Sequence, residues 1–328
     1  MSSPSAAGHP DRRTLLAFAG VVVFGGLNAI AVRETVLELD PLWGAAIRFL
    51  AAGLIFAGVT VARGRRRPSR RMFIGAMAYG LVGFAGAFGL IYPALRDVQA
   101  GTASVVIALS PLATYGLAVA QRQERFRLDA LIGGAIALIG IAIVFVDQLG
   151  VAVPLFPLAL VGLGMVCLSE AGIIVKWIPR GNPYSINAIA MLTAGVALLL
   201  VSLLAGEHQR IPTRTETWLA IGYITMFGSV VMFGLYLFGL QRWTASSMSY
   251  STLLLPFVSV AVATLLTGER FSLAFAIGGV VMLAGVYLGA FGHHRPGRST
   301  ATSLPECVPI ADCAAASAQP PTRAAGRA

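Results

Sequence analysis

Ten runs of about twenty apolar residues govern what this chain can become. They fall near 14–32, 41–61, 73–92, 99–120, 128–146, 155–175, 185–205, 217–239, 246–267 and 271–291. An α-helix of about 20 residues crosses the hydrocarbon core of a bilayer. In lipid the backbone must satisfy its own polar groups, so each run is expected to be a helix. Short connections predict antiparallel neighbours. Of 328 residues, 57% are hydrophobic and 12% charged, too few polar groups to cover a soluble fold of this size. That excludes a soluble enzyme and a disordered scaffold. Residues 1–13 and 292–328 are rich in Ser, Pro, Ala, Gly and Arg and are expected to be disordered cytoplasmic tails. The first run follows Arg12 and Arg13 as a signal peptide would. It lacks a convincing small-residue cleavage site at the right place and has a counterpart later in the chain, so it is expected to stay as a helix.

The chain also repeats itself. Shifted by 145 positions, residues 93–146 fall on 238–291 without a gap, and 15 of 54 positions are identical. Leu95 meets Leu240, Ala100 meets Ala245, Ser104 meets Ser249, and Pro111 meets Pro256. Glu124-Arg125-Phe126 meets Glu269-Arg270-Phe271. Gly133-Gly134 meets Gly278-Gly279, and Gly140 meets Gly285. Earlier residues align more loosely, Pro41 with Pro183 and Arg33 with Lys176. Two halves are expected, 14–146 and 155–291. Each holds five spans, and an odd number inverts the second half relative to the first. The expected fold is an all-α membrane protein, ten transmembrane helices as two inverted five-helix repeats. Such repeats are typical of secondary transporters, where exchanging the conformations of the halves turns a cavity from one side to the other.

Orientation follows from the basic residues. With the N-terminus in the cytoplasm, 18 of 24 lie on inner segments and 5 on outer ones. Both termini are then cytoplasmic, and the formal charge of +10 reports topology rather than a nucleic-acid partner. Arg48 and Glu170 are the only charges inside spans. Cys167, Cys307 and Cys313 form no metal-ligand or redox spacing, and His293 and His294 have no metal constellation. No phosphate-binding loop is present, and no cofactor is expected.

These residues resemble the drug/metabolite transporter superfamily in its EamA-like branch. The resemblance is carried by Pro41 and Arg48-Phe49, by Ala103-Ser104 and Pro111, and by Glu124-Arg125-Phe126 with Gly133-Gly134 and Gly140. The second copy has Ser246 to Ser249, Pro256, Gly268-Glu269-Arg270-Phe271, Gly278-Gly279 and Gly285. The second half departs from it at Ala190 or Met191, where the first has Arg48-Phe49. The resemblance covers about 14–291. It implies export or exchange of small metabolites or drugs at a bacterial inner membrane, through a cavity lined by spans 1, 3, 4, 6, 8 and 9.

Several residues carry candidate chemistry. Glu170 lies within span 6, where an ionisable group is costly and faces protein or water. It reads as a proton-coupling or substrate-amine site, or as a carboxylate near the inner interface paired with Lys176 or Arg180. Arg48, two turns into span 2, reads as a structural tie or as an anion contact through its planar donor fork. Pro111 and Pro256 sit mid-span at equivalent places and are expected to kink their helices as hinges. Ser110 beside the first kink, Asn28 inside span 1, and Tyr79 and Tyr250 on expected cavity helices are the candidate substrate contacts. Tyr92 and Tyr223 are assigned to the interfacial belts. Gly80, Gly83, Gly86 and Gly89 form a spiral strip for close backbone approach, and Gly285 with Gly289 a GxxxG pair that packs within one bundle or between two. Glu124 and Glu269 are expected to bind a neighbouring loop or helix end.

The resulting expectation is a secondary transporter exporting an amino-acid-like or amphipathic metabolite by alternating access. Proton antiport is the leading coupling. Alternatives are a proton-independent exchanger or facilitator, or a non-transporting membrane sensor or assembly component. The expected partners are a small-molecule substrate, membrane lipid and protons, in a monomer or homodimer.

Overall fold

The computed structural model describes residues 10–64, 68–98, 100–146, 154–179, 181–267 and 273–291. Residues 1–9 and 292–328 of the expected tails, which include His293, His294, Cys307 and Cys313, lie outside the described residues, as do Arg180 and Glu269. Every regular element among the described residues is helical. α1 spans Arg12–Val36 and α2 Pro41–Ala62. α3 runs through Arg70–Tyr79, a π-helical stretch Gly80–Gly86, and Ala87–Ala94. α4 is in two pieces, Ala100–Ile107 and Ser110–Ala120. α5 is Leu128–Val144, α6 Leu155–Trp177 and α7 Pro183–Leu204. α8 runs through Thr215–Thr225, a π-helical stretch Met226–Val231, and Met232–Leu240. α9 is Ala245–Thr267, and α10 is Leu273–Val286 with a π-helical end Tyr287–Phe291. Among the described residues, 8 of these helices are long and apolar enough to cross a membrane, and α5 is shorter at 17 residues.

Local sequence explains the helix starts. Asp11 and Asn182 accept from the backbone N–H of Thr14 and Tyr184, and Ser69 from that of Met72, as N-caps do. Pro41 and Pro183, aligned in the repeat, both open their helices, where proline costs no hydrogen bond.

The largest helix contacts are matched under exchange of the halves. α1 packs on α8 and α9, and its counterpart α6 packs on α3 and α4. α2 touches α8 as α7 touches α3, while the counterparts α2 and α7 pair with each other, as do α5 and α10. A pseudo-two-fold axis between inverted repeats requires this pattern. Glycines show it at atomic scale. A Cβ on Gly53 would meet the backbone N of Leu192 at 2.9 Å, and one on Gly195 would meet the N of Leu50 at 2.8 Å. In the α5–α10 seam, Gly140 lies on the N of Met282 and Gly285 on the N of Ala137, each 2.3 Å from an added Cβ. Gly285 and Gly289 thus meet α5 of their own chain. The strip on α3 meets α7 and α6: Gly80 lies on the Ala190 carbonyl, Gly83 on Ala171, Gly86 on Cys167 and Gly89 on Leu198.

Candidate substrate site

The two in-span charges lie in different surroundings. Arg48 is 0% exposed. Its Nε donates to Ser229 Oγ at 2.7 Å, Nη1 to Tyr92 Oη at 2.8 Å, and Nη2 to the carbonyl of Gly228 at 2.8 Å. The rings of Phe49 and Phe88 lie 5.2 and 5.4 Å from the guanidinium carbon, within cation–π range. Gly228 and Ser229 belong to the π-helical stretch of α8, and Ser229 returns its own proton to the Ile224 carbonyl. Asn28 of α1 lies on the same glycine: a Cβ there would be 2.1 Å from Asn28 Oδ1 and 3.6 Å from Arg48 Nη2. Asn28 Oδ1 is buried without a hydrogen-bond partner. Tyr92 is 8% exposed and engaged with Arg48, so its assignment to an interfacial belt is corrected. Tyr223 is half-buried and donates to the Phe24 carbonyl at 3.4 Å.

Glu170 is half-buried, and both carboxylate oxygens accept from Gln121 Nε2 at 2.9 Å. Lys176 donates to the carbonyls of Leu240 and Trp243 at the end of α8 instead, a favourable place for a cation. Next to Glu170, Ser169 donates to the Ser110 carbonyl, and Ser110 Oγ shares a 2.9 Å hydrogen bond with Thr252 Oγ1. This polar line joins α6, α4 and α9. α4 is interrupted between Ile107 and Ser110, directly before Pro111, whereas α9 runs through Pro256 as one helix.

Tyr79 is 2% exposed and packs on Phe84 at 5.0 Å, which packs in turn on Phe233 at 4.7 Å. Tyr250 stands elsewhere. Its hydroxyl donates to the Ala130 carbonyl at 3.0 Å, and its ring end fills the space left by Gly289 and Gly134. That geometry ties α9 to the α5–α10 seam. Sequence reasoning passed over Gln121, Ser229, Thr252 and Asn187. Asn187 is 0% exposed, donates to the Phe233 carbonyl at 3.1 Å, and keeps a buried, unpartnered Oδ1.

The end of the bundle poor in arginine is laced by carboxylates. Glu207 accepts from the N–H groups of Leu42 and Trp43 at the start of α2. Asp40 pairs with Arg96 at 2.8 Å and accepts from His208 N. Glu38 accepts from Thr213 and Arg214 before α8. The Thr217 hydroxyl also faces it without reaching good hydrogen-bond geometry. Thr217 and Thr213 together hold the Glu38 carboxyl down to about 2. A cavity of about 230 Å³ opens here, lined by Glu38, Asp40, Arg96, His208 and Arg210 among others. At the opposite end Glu124 accepts from Ser246 N at 3.1 Å and from its hydroxyl, holding the start of α9.

Among the described residues, ten helices in two matched halves, with Arg48 and Glu170 the charges set well inside them, make up a multi-pass membrane protein. The description "EamA-like transporter family" matches residues 12–146 and again 155–290, and the chain belongs to that family. It is 28% identical to the "Uncharacterized inner membrane transporter YedA" of Escherichia coli (strain K12), over 78% of this chain and 83% of that one. It is 26% identical to a "Probable amino-acid metabolite efflux pump" of Salmonella typhimurium, over 83% of this chain and 93% of that one. A solved crystal structure shares the fold with a TM-score of 0.71 at 20% identity, covering 84% of this chain and 95% of that one.

Proposed function

We propose that the chain is a secondary transporter exporting a small, amphipathic, amino-acid-like metabolite by alternating access. The matching of the main helix contacts between the halves carries this reading. If the halves trade conformations, the path through α1, α3, α4, α6, α8 and α9 reopens on the other side. The direction is suggested by the efflux-pump relative. The repeats are taken as 14–146 and 155–291, in a bacterial inner membrane, with both termini cytoplasmic. Asn28, Tyr79 and Ser110 serve as substrate contacts, and Pro111 and Pro256 as hinges. Tyr250, bonded within the seam, is left out.

Glu170 is the coupling group. Its carboxylate is held by the neutral Gln121 amide rather than by a cation, and an ionisable group within a span marks an ion pathway. Proteoliposomes holding purified protein and labelled amino acids, with an imposed pH gradient, test both parts. Gradient-driven flux is expected, and Glu170→Gln should remove its dependence on pH. Flux of no amino acid, sugar or cationic drug in either direction would defeat the transporter reading. Unaltered pH dependence in Glu170→Gln would defeat proton coupling alone. A cysteine near Arg65 labelled by an impermeant reagent from outside would reverse the proposed topology.

A further inference from the structure

We propose that Arg48 and Asn28 form a carboxylate-recognition site where α1, α2, α3 and α8 meet; the proposal rests on the transporter reading and names its substrate class. The guanidinium is fully buried, and no acidic side chain pairs with it within 4.0 Å among the described residues. Of its five N–H donors, three are used, all on neutral acceptors. One N–H on each terminal nitrogen is left. A buried charge without a counter-charge is costly, and a carboxylate fits the two-pronged guanidinium.

The repeat shows that packing does not require this charge. Continuing the gap-free alignment back along α3 and α8 sets Gly83 on Gly228 and Phe84 on Ser229. The looser alignments set Ala171 on Asn28 and Ala190 on Arg48. The same junction in the other half is therefore built from Ala171, Ala190, Phe84 and Gly83. There Gly83 lies on the Ala171 methyl, and the Phe84 ring packs on Phe49 and Phe233. Tyr79 also lies against Gly83 and Phe84, and none of these residues is charged. Asn28, Arg48 and Ser229 are polar replacements confined to one copy, gathered on one glycine.

The bare glycine leaves the Asn28 amide and Nη2 facing the same space, with Asn28 Oδ1 unspent. Turned over, that amide presents its NH₂ to an anion. Tyr92, on Nη1, stands near the end of α3, and Arg96 just beyond is latched to Asp40. Release of that latch frees the helix end carrying Tyr92. A ligand carboxylate then takes the phenol's place on Nη1 and bonds Nη2 with its second oxygen.

The test compares two mixtures on purified full-length protein in detergent: neutral L-amino acids, and the matching amino-acid amides, which lack the carboxylate. The acids should raise the melting temperature of the wild type and the amides should not, because a ligand of the folded state stabilises it by mass action. Arg48→Gln should weaken the half-saturating concentration by about tenfold or more, as for loss of a charge-assisted bond. Asn28→Asp covers the case in which Arg48→Gln does not fold. It supplies an internal carboxylate beside Arg48, so it should fold, melt higher unliganded, and lose the response to the acids. Equal response to acids and amides, no response to the acids, or a wild-type response in Asn28→Asp overturns the site. A protein that still moves solute in proteoliposomes after such a result keeps the transporter reading without the carboxylate site.

Discussion

The junction around Gly228 and its counterpart around Gly83 solve one packing problem with different chemistry. Both lie in π-helical stretches, of α8 and α3, at matching places in the repeat. Around Gly83 the neighbours are Ala171 and the aromatic contacts of Phe84 with Tyr79, Phe49 and Phe233. Around Gly228 they are an amide, a guanidinium and a hydroxyl. The extra residue of a π-helical turn disturbs the regular hydrogen bonding of a helix. In α8, side chains from other helices bond to its carbonyls: Arg48 to Gly228 and Asn187 to Phe233. α3 is held by close apolar contact and by Gly80 on the Ala190 carbonyl. Identical topology thus leaves one junction close-packed and largely apolar, and the other polar.

The largest expected effect is on the close-packed side. Gly80→Ala would set a methyl 2.1 Å from the Ala190 carbonyl oxygen and 2.8 Å from its carbonyl carbon, atoms of a packed helix that cannot step aside. A cost of about 3 kcal/mol or more is expected, seen as a lower melting temperature and poor yield in detergent. Gly228→Ala should cost clearly less, because the atom it meets first is the end of the Asn28 side chain. Equal losses would mean that the two junctions do not differ in rigidity.

Tyr92→Phe comes next. It removes an acceptor from a buried guanidinium while keeping the ring against Phe88. Hydrogen bonds to charged groups contribute more than neutral ones, so about 2 kcal/mol of destabilisation is expected by thermal or chemical unfolding. The repeat sets buried Leu237 at the matching place, which confines this loss to the polar junction. A neutral substitution would show that Arg48 finds its third partner elsewhere.

Much of the fold was legible because its causes are local. Apolar runs set the helices, and the repeat of Gly133, Gly140, Gly278 and Gly285 marked the residues that later form the α5–α10 seam. Arg48, Asn28 and Glu170 stood out as polar groups in apolar runs. Their partners did not. Tyr92 lies near a helix end, so position alone assigned it to the interface. Gly228 and Ser229 act through a π-helical stretch, which leaves no mark in a 3.6-residue periodicity. Gln121 lies just past the end of α4, and only the tertiary arrangement brings it to Glu170. Tyr250 has a plausible depth in a cavity helix, but its side chain faces the seam, and one sequence does not give the rotation of a helix.

Asn187→Leu examines the grip on α8 from α7, the counterpart of α2. The Phe233 carbonyl loses its side-chain donor, but an unpartnered buried oxygen is removed as well. The two partly offset, so the net loss should be about 1 kcal/mol, below that of Tyr92→Phe. A gain in stability would show that the unpaired oxygen outweighs the bond. It would also leave Arg48 as the residue that distinguishes α8 from α3.

The smallest effect is expected where the two helices begin. α3 is capped by its own Ser69, while α8 is preceded by Thr213 and Arg214, bonded to Glu38 from the other half. Thr217 and Thr213 lower the Glu38 pKa from 4.5 to about 2. A carboxylate with a depressed folded-state value stabilises the fold above its unfolded value, and that stabilisation is lost as pH falls through the folded one. The Glu38 contribution should therefore be complete above about pH 4.5 and fade towards pH 2. Glu38→Gln keeps an acceptor but drops the charge. It should melt slightly below wild type at pH 7, and the difference should shrink between pH 4.5 and 2. If the difference is constant across that range, the threonines stabilise the side chain rather than its charge. The latch of α8 to the first half would then be as indifferent to pH as the serine cap of α3.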